Sequence, residues 1–184
     1  MKNLKKFNAV QIKTTNSAVA MAEELVSNFY KMSASQWLGR KYDVKILTDL
    51  DRNEIIHGPF AQIIRYKGQR DNTTLGTSTY DFYKICLQDH SILLAMEQSP
   101  QVQLFPFILY IVTHELIHII RFSKFFQQFE ASAGEKKTEE RRVHKITHEI
   151  LSNVQISDIK DVFIFFDEWL APLDEHRDCL DLRA

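Results

Sequence analysis

The sequence predicts a single α+β domain in which one helix precedes a small sheet and the remaining helices follow it. Three observations predict this. Apolar residues recur at helical spacing early in the chain and again after about His90, whereas the stretch between alternates as strands do. A chain of 184 residues is the size of one domain, taken here as 1–184. Hydrophobic residues make up 45% and aromatics 11%, enough for a core without disulfide or metal staples.

Asn16 or Ser17 is expected to cap a helix running to about Leu38, with Ala18, Ala22, Leu25, Val26, Phe29 and Met32 at helical spacing. "YDVKILTD" reads as a short strand alternating at Val44 and Ile46, and "PFAQIIRYKG" as a second strand. The polar stretch "QRDNTTLGTST", marked by Gly68 and Gly76, reads as a loop. "YDFYKICLQD" is aromatic and β-branched enough for a third strand. A short helix follows over about His90 to Glu97 until "QSPQ" breaks it, and Pro106 suits the first turn of the next helix, which extends to about Phe126. "EASAGEKKTEE" reads as a polar connection, and "EERRVHKITHEIL" as a helix with Val143, Ile146, Ile150 and Leu151 on one side. "DVFIFFDEWLAP" fits helix or strand equally. Trp37 and Trp169 are expected to anchor the core.

Lys plus Arg number 23 against 24 Asp plus Glu, so no global charge favours nucleic acid. The lysines of the first thirteen residues and the acidic residues of the end, Asp167 to Asp181, read as solvated surface. Cys86 and Cys179 fit no metal or redox spacing, and no apolar stretch follows the first lysines, so a reducing cytoplasm is expected. From Val102 to Phe122 the chain is apolar enough to suggest a membrane span. Glu115 would sit near the bilayer centre at high cost, so a core helix is expected and no membrane partner.

That same helix carries the chemistry. In "ILYIVTHELIHIIRF", His114 and His118 are four apart and present their imidazoles on one face. Two neutral imidazoles so placed make half of a tetrahedral zinc site. Glu115, beside the first ligand, is placed to act as general base on a water at the metal, the HExxH arrangement. The bland alternative is a hydrogen-bonded core pair, but polar groups inside so apolar a helix need something to satisfy them. Arg121 and Lys124 stand where a metzincin pattern would need glycine and a third histidine, so that class is excluded. Further ligand candidates are Glu139, Glu140 and His144 in "EERRVH", with Glu140 and His144 again four apart. By position alone Glu139 and Glu140 are also suitable first-turn residues of a helix, and Glu139 lies nearer the middle of the apolar stripe.

With "HELIH" at 114–118 and "EERRVH" at 139–144, the chain resembles the gluzincin branch of the zincin zinc metallopeptidases over roughly residues 80 to 151. The resemblance implies a small zincin-like sheet packed against the HExxH helix and a following ligand helix. It implies Glu140 as third zinc ligand and Val143 as a small packing residue. His144 would stand where the family has an aspartate bonded to a ligand histidine. His144 departs from that pattern, and could itself ligate the metal. Zincin peptides lie along an edge strand above the active helix, and "FYKICLQD" occupies the corresponding place in the chain. The expected function is a zinc-dependent hydrolase acting on a peptide or protein through Glu115. The rivals are a closed, non-catalytic site of His114, His118, Glu140 and His144, or an interaction module on the same fold. His148, His176 and Tyr110 are weaker candidates for stabilising an oxyanion, and His57 and His90 read as ordinary loop histidines.

Overall fold

The computed structural model describes residues 4–33, 41–70, 78–124 and 132–168; Trp37, Trp169, His176 and Cys179 lie outside them. The fold is α+β, as the sequence predicts. Helix α1 (Ala9–Phe29) precedes strands β1 (Lys41–Lys45), β2 (Ala61–Arg70) and β3 (Ser78–Leu87). Helices α2 (Asp89–Gln98), α3 (Leu104–Ser123), α4 (Ala133–Ser152) and α5 (159–168) follow.

Helix α1 starts earlier than expected. The Asn8 side chain accepts the Gln11 N–H at 3.0 Å and the Gln11 side chain accepts the Asn8 N–H at 2.9 Å, a reciprocal cap that satisfies two end donors. Ser17 lies inside the helix with its hydroxyl donating to the Lys13 carbonyl. Ala18, Ala22 and Val26 form the buried face, as their spacing predicts, and α1 packs along α3.

The strand order is β1-β3-β2, with β1 parallel and β2 antiparallel to β3. Val44, Ile85 and Ile63 are aligned across the three strands. Both edges of β3 are therefore paired over Phe82–Cys86, and Ile85, Cys86 and Leu87 are all fully buried. This corrects the expectation that "FYKICLQD" offers an edge to a peptide. Among the described residues the strand with one unpaired edge beside α3 is β2.

On the face of the sheet opposite Tyr83, Glu54 accepts from Lys84 Nζ at 2.7 and 2.8 Å and from the Tyr66 hydroxyl at 2.9 Å. The Lys84 hydrogen bonds hold this buried carboxyl below its ordinary range against the opposing effect of burial. Cys86, buried nearby, has its thiol pushed up to about 11 by burial.

Helix α3 is the centre of the molecule. Ile108, Leu109, Val112, Leu116, Ile117 and Ile120 are buried around its circumference, the pattern of a helix enclosed on all sides. Among the described residues it is the one helix long and apolar enough to cross a membrane, and 83% of its most apolar stretch is buried inside the protein.

Helix α4 also starts early. Ser132 caps it, accepting the Glu135 N–H while the Glu135 carboxylate accepts the Ser132 N–H at 2.9 Å. Most of the expected polar connection is thus helical, and Glu139 and Glu140 lie well inside α4 rather than in its first turn. The undecided segment beginning at Asp161 is helical as far as Glu168.

One buried carboxylate ties the start of the chain to the sheet. Asp89, fully buried, accepts the Phe7 N–H and the Leu47 N–H, each at 3.0 Å. Burial pushes its carboxyl up, and these two donors oppose the shift. Asp89→Ala leaves both N–H groups without this acceptor, so chemical denaturation should show a loss of about 2–4 kcal/mol at unchanged m-value.

Candidate metal centre

His114 and His118 lie one turn apart on α3, both buried, and Glu140 reaches them from α4. The two Nε2 atoms are 3.1 Å apart. Glu140 Oε2 is 3.2 Å from His114 Nε2, and Glu140 Oε1 is 3.1 Å from His118 Nε2. Donor atoms each about 2.0 Å from one tetrahedral ion would be separated by about 3.3 Å; the two imidazole nitrogens have that spacing, and one donor atom from each of the three residues lies within 4.8 Å of the others. These three residues are the group among those described that can hold a metal ion.

The chemistry of the donor set fits a cation as well as its dimensions do. Burial alone would raise the Glu140 carboxyl, but the His114 and His118 imidazoles overcome it and hold the carboxyl well below its usual range. Each neutral Nε2 carries at most one N–H, so the three close approaches, nitrogen to nitrogen and each nitrogen to the carboxylate, cannot all be hydrogen bonds. On the other side of the His114 ring, Nδ1 is buried and has no hydrogen-bond partner.

Each ligand candidate is set by its surroundings. Tyr83 of β3 stacks on Phe122, and Phe122 stacks on the His118 ring, with centroids 6.1 and 5.9 Å apart. Glu140 is placed by its neighbour. Glu139, 5% exposed, pairs with Arg121 of α3 and with Arg142 at 3.0 Å. The rival ligand Glu139 is therefore engaged by guanidinium groups, and its ion pair to Arg121 joins the two helices that carry the donors.

His144, on the same helix as Glu140, lies beside the three donors and lines the same cavity. Its ring lies 4.2 Å from that of His114, and its Nδ1 is 2.8 Å from the Tyr110 hydroxyl. Burial, with His114 adding to it, pushes the His144 imidazole down to about 3, so it is neutral. Phe166 of α5 stacks on Tyr110 with centroids 4.0 Å apart, closing this side. Nothing in the local pattern of "DVFIFFDEWLAP" marks Phe166 as a neighbour of the donors. His148 stacks on Phe163 at 4.4 Å, outside the donor group. His57 and His90 pair with each other at 3.2 Å, and His90 belongs to the first turn of α2 rather than to a loop.

A cavity of about 360 Å³ opens beside the donors. His114, His118, Glu140, His144 and Glu115 line it together with Pro59 to Ile63, the segment entering β2. Glu115 is half-buried on this wall, and burial pushes its carboxyl up against the opposing pull of His114 and His118.

Titration against a competing chelator separates the roles of these residues. Glu140→Ala should largely abolish retention of an added divalent metal ion, whereas His144→Ala should weaken it by about 10–100-fold if that residue stands behind a ligand. Removing Arg121's buried carboxylate in Glu139→Ala should cost about 3 kcal/mol of stability in denaturant unfolding. Comparison with protein family models, with curated proteins and with solved structures finds no match.

Proposed function

We propose that the protein is a zinc-dependent hydrolase that cleaves peptide bonds, with His114, His118 and Glu140 as metal ligands and Glu115 as general base. The observation that carries this reading is the convergence of three donor atoms, one each from His114, His118 and Glu140 and all within 4.8 Å of one another, on the wall of a cavity that Glu115 also lines. Three protein ligands leave a tetrahedral ion one position for water or substrate, the requirement for catalysis rather than structure. The Tyr110 hydroxyl engages His144 through Nδ1, so Nε2 is the atom that would ligate in a closed site of four, and the His144→Ala titration separates that site from the three-ligand one.

Zinc bound there would supply Lewis acidity and acidify a water at neutral pH. Glu115 would take the proton from that water on its carboxylate and return it to the leaving amine. Burial, which raises its carboxyl, makes it a stronger base than an exposed glutamate. The entry to β2 lines the cavity, and the unpaired edge of that strand offers backbone groups to an extended peptide. The resemblance of HELIH and EERRVH to the gluzincins, together with donors on consecutive helices, supports a peptide over other acyl substrates.

Elemental analysis of protein never exposed to nickel resin should find about one equivalent of zinc per chain. If the protein holds no transition metal and takes up none on addition of zinc, the reading is wrong. Glu115→Gln should keep the zinc and lose turnover on any peptide found by library screening, because the amide keeps the shape but accepts no proton. Loss of zinc in this variant would instead make Glu115 a ligand.

A further inference from the structure

The polar groups of the cavity are mostly committed. Glu140 faces two imidazoles, His144 bonds Tyr110, and the Gln62 side chain donates to the Glu54 carbonyl at 2.9 Å. Phe60, Ile63, Ile111, Phe122 and Phe166 supply an apolar wall. Lys136 remains. It lies on α4 four residues before Glu140, one turn away on the same face, and it lines the cavity. Among the described residues no carboxylate pairs with its ammonium, and the side chain is exposed at the cavity rim.

The charges make this cation informative. With a divalent ion on the donors, the ion and Lys136 together exceed the negative charge of Glu115 and Glu140 on the same wall. A neutral ligand leaves that excess unbalanced, and a carboxylate balances it. We propose that Lys136 is a specificity-determining residue that selects ligands carrying a carboxylate beside an apolar residue. The inference rests on the hydrolase reading and names its substrate class. The carboxylate is either a free C-terminus or an acidic side chain, and both present the same group to Lys136.

The test uses three short peptides with one phenylalanine each: one amidated at its C-terminus, one with that terminus free, and one amidated but with glutamate next to the phenylalanine. Binding is measured by calorimetry on the zinc-loaded full chain in a Glu115→Gln background, so that the peptides survive, with zinc content determined first on the same samples. With Lys136 present, at least one carboxylate peptide should bind about fivefold tighter than the uncharged one, the strength of a partly exposed ion pair. The preferred carboxylate peptide identifies the source. Lys136→Met should shrink that preference, Lys136→Arg should keep it, and added salt should weaken it. A carboxylate preference of equal size with Lys136 and with Met at that position overturns the inference, because zinc alone would then read the carboxylate. Equal binding of all three peptides with Lys136 present overturns it as well. Protein that takes up no zinc overturns the hydrolase reading instead, and is recognised before any peptide is added.

Discussion

The packing of α4 on α3 depends on one buried ion pair, Arg121 with Glu139. Both side chains are largely withdrawn from water, so neither charge is tolerable without a partner nearby. The guanidinium sits three residues beyond His118 on α3, and the carboxylate is adjacent in the chain to Glu140 on α4. A pair so placed fixes both rotation and height of α4 relative to α3. Glu140 therefore arrives over the two imidazoles as a consequence of its neighbour's bond. The sheet contributes from the opposite side through Tyr83, Phe122 and the His118 ring, and α5 contributes Phe166 against Tyr110. The donor group is held between these two aromatic contacts.

Much of this was legible in the sequence where a physical period was strong. The α+β order, the buried face of α1 at Ala18, Ala22 and Val26, and the enclosed helix around His114 and His118 all follow from apolar spacing. Helix starts were less legible. Asn8 with Gln11, and Ser132 with Glu135, are short polar signatures lying in stretches with few apolar residues, and periodicity does not register them. Missing the second of these put Glu139 and Glu140 in a first turn, although they lie inside α4.

Strand order was the other gap. Three strands of similar composition do not announce which is central, because burial on both faces follows from pairing that the local sequence does not encode. Ile85, Cys86 and Leu87 in succession are the trace of that position in β3. The distinction between Glu139 and Glu140 was illegible for a related reason. Adjacent carboxylates differ by about 100° around a helix, and only the location of Arg121 on the facing helix decides which one meets a guanidinium and which one meets the imidazoles.

The three donors have a further property that comes from chain connectivity. His118 and Glu140 are twenty-two positions apart and belong to consecutive helices, whereas the Asp89 carboxylate reaches back 82 positions to Phe7. Closing the shorter loop costs less chain entropy, and that cost grows only logarithmically with length. The donor group thus belongs to one helical hairpin, and the link between Asp89 and Phe7 lies outside it. A cation that gathers the donors stabilises the closed hairpin by mass action. Such a cation would act on the contact between α4 and α3, the two helices that carry the donors.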